Sequence, residues 1–284
     1  APDYAPAQLA LGQAALIGGD RATAARFLIR AVDDDVTSQT AQSALAEVMT
    51  AKGDRGSAAY QRGVYYLETD RPERAVAAFE REAAIAPARV NGPRWASLAY
   101  TQMQRLDLAA GAAQRALARH PRDPELLSQL ALLHILGRNR PQAAQLCQEW
   151  LNFDPQAAEP YRLLARIARE EQRLPEALRL GEQALARAPQ NGSVCADLAK
   201  TLSAIGGPEN NRRALDLARR AAALSPGEAD NWLQLGTLLR PVGNPEEAAS
   251  AFLRALDRDP TSVQACSALS PIADREGRPA SARF

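Results

Sequence analysis

Lysine is nearly missing from this chain: Lys52 and Lys200 are the only two among 34 basic residues, and the rest are arginine. Acids number 33, so the net charge is +1 and gives no general attraction to nucleic acid. Histidine occurs twice, as His120 beside Pro121 and as His134 in a place where an aromatic would pack. The three cysteines, Cys147, Cys195 and Cys266, are odd in number and widely spaced. They make no disulfide framework and no zinc pattern, and each stands where a small or apolar residue packs, as a buried and inert thiol. They lean towards a reducing compartment, although buried thiols also persist outside one. No Ser or Cys nucleophile has a base at a recognised spacing, no glycine-rich loop follows a strand, and no strand pattern is evident. The expectation is no active site, no metal and no cofactor. No apolar run approaches the roughly 18–20 residues that span a bilayer, so no membrane segment is expected within the chain. Asn191-Gly192-Ser193 fits a glycosylation sequon, a triplet common by chance.

What is abundant is the vocabulary of helices: Ala, Leu, Arg, Glu and Gln fill most positions. The stretch Asp230 to Pro260 organises the rest. Trp232, Leu235, Gly236 and Leu239 recur at i, i+3, i+4 and i+7, one face of a helix. Gly243-Asn244-Pro245 breaks the chain, Ala248, Phe252, Ala255 and Leu256 form a second face, and Pro260 closes the unit. This resembles the tetratricopeptide repeat, whose 34-residue signature is W-x2-L-G-x2-Y, then A-x3-F, then P. Leu239 stands in for the Tyr.

The pattern recurs along most of the chain. Leu11-Gly12 opens the first repeat, with Gly18-Gly19-Asp20 as its turn. Asp33-Asp34-Asp35 at the end of its second helix is expected to be a solvated corner, with a cation site as the other reading. Leu45-Ala46 begins another first-type helix, and then the register slips by half a repeat near Gly53–Gly56, because Arg62-Gly63 and Tyr66 again carry first-helix character. Either a single helix is inserted near 39–52 or a second-type helix is absent from the sequence at that point. Around Val90 to Pro121 two registers compete: Trp95, Leu98 and Ala99 suggest one, and Tyr100, Ala109 and Pro121 another shifted by two residues, with a shortened turn expected near Gln104. The turn from Gly206 to Arg213 is three residues longer than its equivalents and is expected to be a surface loop. The last repeat starts near residue 263 with Cys266, Leu269-Ser270 and Ala273, and stops at Phe284 before its second helix is complete. The chain also opens at Ala1 without Met, so it is expected to be a trimmed or processed piece of a longer polypeptide.

The resemblance implies an all-α, right-handed superhelical solenoid of antiparallel helix pairs over residues 5–284. It would hold about seven full repeats, the isolated helix near 39–52 and a truncated repeat from 263. Small residues such as Gly12, Ala131, Ala165 and Gly236 would let helices approach, and the first helix of each pair would line a concave groove that takes extended peptides or helices. On that basis the partner-binding candidates are Arg162, Arg166, Arg169, Lys200, Arg240, Leu132, Leu136, Tyr60 and Val64. Arg162, Arg166, Arg169 and Arg173 fall at i, i+4, i+7 and i+11. Two readings of that stripe stay open: a basic strip for an acidic or carboxylate-bearing partner, or an arginine face neutralised by Glu159, Glu170 and Asp197. Leu132, Ile135 and Leu136 would add apolar anchoring; Tyr60 and Val64 would do the same or pack against the helix near 39–52. The Lys, Asn and Arg clamp of chaperone-tail receptors is not present: Ser128, Leu132, Arg162, Arg166, Ala196 and Lys200 occupy its places.

The expected function is a protein–protein interaction scaffold, with a protein or peptide partner, no nucleic acid, and no catalysis of its own. Arginine-rich, lysine-poor composition points to a GC-rich bacterial genome. The assembly expected is a secretion or exopolysaccharide-export system, and the periplasm is favoured over the cytoplasm. The alternative is the recruitment arm of a larger enzyme, such as a glycosyltransferase with an amino-terminal repeat array.

Overall fold

The computed structural model describes residues 5–34, 40, 41, 44, 45, 48 and 55–275. These residues contain fifteen α-helices, one 3-10 turn and no strand. The helices are α1 (Ala5–Ile17), α2 (Arg21–Asp34), α3 (Arg55–Glu68), α4 (Pro72–Ile85), α5 (Asn91–Gln102), α6 (Leu106–Arg119) and α7 (Pro124–Leu136) in a first compact unit, Ala1–Asn139. A second unit, Arg140–Phe284, holds α8 (Arg140–Phe153), α9 (Ala158–Glu170), α10 (Leu174–Arg187), α11 (Gly192–Ile205), α12 (Pro208–Leu224), α13 (Ala229–Leu239), α14 (Pro245–Arg258) and α15 (Val263–Arg275). The junction at Gly53-Asp54, where the register slips, and the end of the last repeat at Ala282 to Phe284 lie outside the described residues. Of the helix expected near 39–52, Ala41, Leu45 and Val48 are helical and buried against Ala24, Leu28 and Val32 of α2.

Helix starts follow local chemistry. Proline sits in the first turn of α4, α7, α10, α12 and α14, where its missing N–H would have had no intrahelical partner. Asp123, Asn191 and Asn244 cap α7, α11 and α14 with side-chain oxygens; Asp123 accepts from the N–H groups of Glu125 and Leu126, both at 3.0 Å. Asn191, the sequon asparagine, thus has a structural task at the start of α11.

Helix ends inside the hairpins share one device. Gly19, Asp70, Gln104, Arg138, Gln172, Gly206 and Gly243 all have φ between 56° and 80°. Each lies seven residues after a small residue on the preceding helix: Gly12, Gly63, Ser97, Ala131, Ala165, Ala199 and Gly236. The next residue's N–H bonds back five residues in Asp20, Arg71, Arg105, Asn139 and Arg173, at 2.7–3.0 Å, the 6→1 bond of a Schellman end. This settles the register of α5. Gln104 occupies the same left-handed position as its equivalents, so the turn is not shortened. Ser97, fully buried, fills the small-residue position, whereas Leu98 points outward and is 39% exposed. Left-handed backbone strains a residue with a Cβ by roughly 1–2 kcal/mol. Gln172 is exposed, so Gln172→Gly should stabilise the second unit by a few tenths to about 1 kcal/mol, after the added unfolded-state entropy of glycine is subtracted. A urea midpoint that falls instead would contradict the strain argument.

The long turn after α11 is not a loop. Gly206 and Gly207, at φ 75° and 88°, make the reversal, and the three extra residues extend α12 to 17 residues where α10 and α14 have 14. Pro208 can open a helix immediately after the two glycines, so an added turn of helix satisfies the backbone better than a bulged loop would.

Packing is by hairpins: α1 on α2, α3 on α4, α5 on α6, α9 on α10, α11 on α12 and α13 on α14. Phe79 and Phe252, both fully buried, fill equivalent second-helix positions. Each lies against a glycine of its partner helix, where an added Cβ would sit 2.4 Å from Phe79 Cε1 at Gly63 and 2.6 Å from Phe252 Cε1 at Gly236. The cysteines are free; Cys147 and Cys195 are fully buried and Cys266 partly so, and burial pushes the Cys147 thiol up to about 12.

Candidate partner-binding face

Successive first helices touch one another: α3 with α5 in the first unit, and α9 with α11, α11 with α13 and α13 with α15 in the second. They thereby form a face of first helices in each unit. A 34-residue spacing assigns equivalent places on it, so that Val64, Leu98, Leu132, Arg166 and Lys200 correspond. The same outward position is therefore apolar in the first unit and basic in the second.

In the second unit the stripe residues are engaged. Arg162 is 9% exposed. Its Nε and Nη2 donate to the Glu159 carboxylate at 2.8 and 2.5 Å, and its Nη1 donates to Asp197 Oδ2 at 2.5 Å. Burial works against the charge, but the bonds and charges of Glu159 and Asp197 outweigh it and hold Arg162 above its ordinary pKa. Arg169 Nη1 donates to the Asp197 carbonyl at 3.3 Å, and its Nη2 lies 3.7 Å from Asp197 Oδ1. Burial draws Arg169 below its ordinary value, only partly offset by Asp197. Arg166 Nε donates to Glu170 Oε1 at 3.2 Å, while Arg140 Nε donates to Glu170 Oε2 at 3.1 Å. Lys200 Nζ lies 2.5 Å from Asp230 of the next first helix. Arg240, in the 3-10 turn Arg240–Val242, is exposed and has no ion pair among the described residues. Of the two readings open in the sequence, the arginine face neutralised by Glu159, Glu170 and Asp197 describes these side chains; the free basic strip does not. The reason is adjacency. Arg162 faces α11, where Asp197 waits at the matching height, and charge left unpaired at that depth would be costly. Arg173 leaves the stripe because α9 ends at Glu170; it bonds Glu171 and Glu176 at the start of α10.

The same neighbour relation recurs. Gln129 Nε2 donates to the Arg94 carbonyl at 3.3 Å, and Gln234 Nε2 to the Ala196 carbonyl at 3.2 Å, each from one first helix to the previous one. At the equivalent pair in the first unit, Tyr60 meets Trp95, ring centroids 6.2 Å apart, and also Phe79 at 6.0 Å. Tyr60 and Val64 are therefore partly buried against α4 and α5. Leu136 is 50% exposed at the end of α7, Leu132 is partly buried, and Ile135 is buried. Leu98 belongs with Val64 and Leu132, and the sequence argument missed it by taking it for a packing residue. Burial lowers the pKa of His134, on the same helix as Leu132.

Trp232 and Tyr161 sit at equivalent first-helix positions and are only partly buried. The indole donates to the Pro226 carbonyl at 2.9 Å and the phenol to Pro155 at 3.4 Å, with Arg254 and Arg187 stacked over the rings at 4.7 and 4.1 Å. Among the described residues no group of three or more His, Cys, Asp or Glu is placed to hold a metal, and no helix is long and apolar enough to cross a membrane.

The tetratricopeptide repeat family pattern matches residues 96–158, 209–263 and 233–283. A peroxisomal targeting signal receptor of Candida albicans is 28% identical over 213 residues, which cover 72% of this chain. The chain spans only 36% of that receptor's length. A tetratricopeptide repeat protein from Parabacteroides merdae superposes with a TM-score of 0.67 at 14% identity, covering 94% of this chain and 98% of its own. Pseudomonas aeruginosa PilF superposes with a TM-score of 0.54 at 18% identity, over 77% of this chain and 98% of its own. At such identities the structural likeness speaks for the fold. In repeat spacing, turn geometry and helix packing alike, this is a tetratricopeptide-repeat chain.

Proposed function

We propose that the chain is a protein-binding scaffold whose first-helix faces receive an extended segment of another protein. The observation that carries this is the composition of those faces. In the first unit they present Val64, Leu98, Leu132 and Leu136, apolar groups at or near the surface of first helices. In the second they present a ladder of ion pairs that links α9, α11 and α13 and is open to solvent at Lys200–Asp230, where the side chains are 34% and 65% exposed. A partner carboxylate would displace Asp230 from Lys200 or Glu170 from Arg166, and would find Arg240 unengaged. This is exchange of partners, which contributes specificity and salt sensitivity more than raw affinity. We read both units as parts of one repeat series, on the spacing that runs through residues 63, 97, 131, 165 and 199. The bacterial assembly we favour is a secretion or export machine, with the periplasm as its compartment. A recruitment arm of a larger enzyme is the alternative.

The test is site-specific photo-crosslinking in the native host, with the crosslinker at Thr237 on the first-helix face or at the exposed Arg179 on the second helix α10. Adducts should form from position 237. With the captured protein purified, Arg166→Glu/Lys200→Glu should raise Kd at least about tenfold and flatten its salt dependence. Adducts from position 179 alone, or an unchanged Kd, would refute the assignment of the face.

A further inference from the structure

A second polar constellation lies in the first unit, away from the residues proposed to meet the partner. Asp33 on α2 was expected to be a solvated corner. Its side chain is instead only 6% exposed, accepts a hydrogen bond from the Tyr66 hydroxyl, and lies 3.4 Å from Arg71 Nη1 and 3.7 Å from Arg74 Nη1. Beside it is a cavity of about 250 Å³ lined by Asp33, Arg62, Tyr66, Arg74, Arg81 and two alanines, Ala77 and Ala78. Arg74, Ala77, Ala78 and Arg81 follow at i, i+3, i+4 and i+7, so one face of α4 forms a wall with a guanidinium at each end. Arg62 comes from α3. Its Nη2 donates to the Tyr66 hydroxyl at 3.3 Å, but its Nε is buried and has no acceptor among the described residues. Arg81 is exposed and has no ion pair among the described residues.

Among the described residues, three guanidiniums therefore face one cavity against a single carboxylate, and that carboxylate is already engaged by Tyr66, Arg71 and Arg74. A buried N–H without an acceptor is unusual enough to require a reason. An anion in the cavity would supply the acceptor and balance the surplus positive charge. The volume falls below the roughly 300–1,000 Å³ typical of sites for whole small molecules, so it suits a functional group. Guanidinium forks match phosphate oxygens, and donors arriving from two helices suit a tetrahedral group better than a planar carboxylate. We propose that this cavity binds a phosphate group through Arg62, Arg74 and Arg81, with Tyr66 and Asp33 holding Arg62 and Arg74 in place.

Titration of the whole chain with inorganic phosphate, followed calorimetrically at constant ionic strength, tests this. The expected result is saturable binding that chloride and acetate do not reproduce, weakened at least about tenfold in Arg74→Gln/Arg81→Gln. Both positions are exposed, so the far-UV circular dichroism of the variant should match the parent. A phosphoserine peptide run in parallel identifies the source: tighter binding than inorganic phosphate assigns the site to a phosphorylated partner, and equal binding assigns it to free phosphate. No saturable phosphate binding, equal binding of acetate, or an unaltered Arg74→Gln/Arg81→Gln variant would each overturn the proposal.

Discussion

Phe252→Ala should lower the stability of the second unit by about 3–5 kcal/mol, read as a fall in the urea midpoint with little change in slope. The ring is fully buried in a cluster that includes Leu235, Leu239, Ala248 and Ala251. Its face lies over Gly236, where a Cβ would stand 2.6, 2.7 and 2.9 Å from Phe252 Cε1, Cδ1 and Cζ. Gly236→Ala alone should therefore cost about 1–3 kcal/mol by forcing the ring aside. In the Phe252→Ala background the same change has nothing to displace, and its cost should vanish or reverse sign. That non-additivity is the diagnostic, because contacting residues couple and distant ones add. Equal costs of Gly236→Ala in both backgrounds would mean that the ring and the glycine do not meet. Trp232, the residue that dominates the repeat signature, should matter less than Phe252, since it is only partly buried and its indole face is covered by an arginine.

The second large effect is expected at Asp197. It serves Arg162 and Arg169 at once, with side-chain exposures of 13% for the aspartate and 11% and 17% for the arginines. Removing one member of a buried ion pair leaves the other uncompensated, which costs up to about 3–5 kcal/mol; here Arg162 keeps Glu159, and Arg169 loses its carboxylate. Asp197→Ala should therefore destabilise far more than Asp230→Ala, whose lysine can turn to water. Replacing the group as a whole, with Glu159→Gln, Arg162→Met, Arg169→Leu and Asp197→Leu together, should recover most of the loss, because an apolar contact between α9 and α11 needs no charge compensation. If Asp197→Ala is as mild as Asp230→Ala, the network is a surface feature and Arg162 does not depend on Asp197 for its compensation. The charge-reversal variant in the proposed binding test deliberately avoids Arg162, since reversing it would confound binding with unfolding.

Helix pairing, the repeat spacing and the packing role of Gly12, Ala131, Ala165 and Gly236 were legible in the sequence because each rests on residue size at a fixed period. What was not legible depended on neighbours in other repeats. Arg162 carries the same periodicity as an exposed residue would, and only the height of Asp197 on the next first helix shows that it is covered. Aligning the repeats on the left-handed turn position would have revealed that pair, and would also have moved Leu98 to the outward row. Asp33 was obscured for the same reason: three consecutive acids look solvated until α4 brings Arg71 and Arg74 alongside. The insertion before Arg213 was misjudged because sequence length alone does not say whether added residues continue a helix or leave it.

The turn that closes with the 6→1 bond has an implication for how such a chain can change over time. Its defining bond joins two backbone groups, and its residues differ freely: Asp70-Arg71, Gln104-Arg105, Arg138-Asn139 and Gln172-Arg173 close the same geometry. A crossover between two gene copies at matching points of the 34-residue period would rejoin backbone that already fits, whatever side chains flank the joint. Whole modules can therefore be gained, lost or exchanged, carrying their outward residues with them, while the joints themselves stay under almost no selection for side-chain identity.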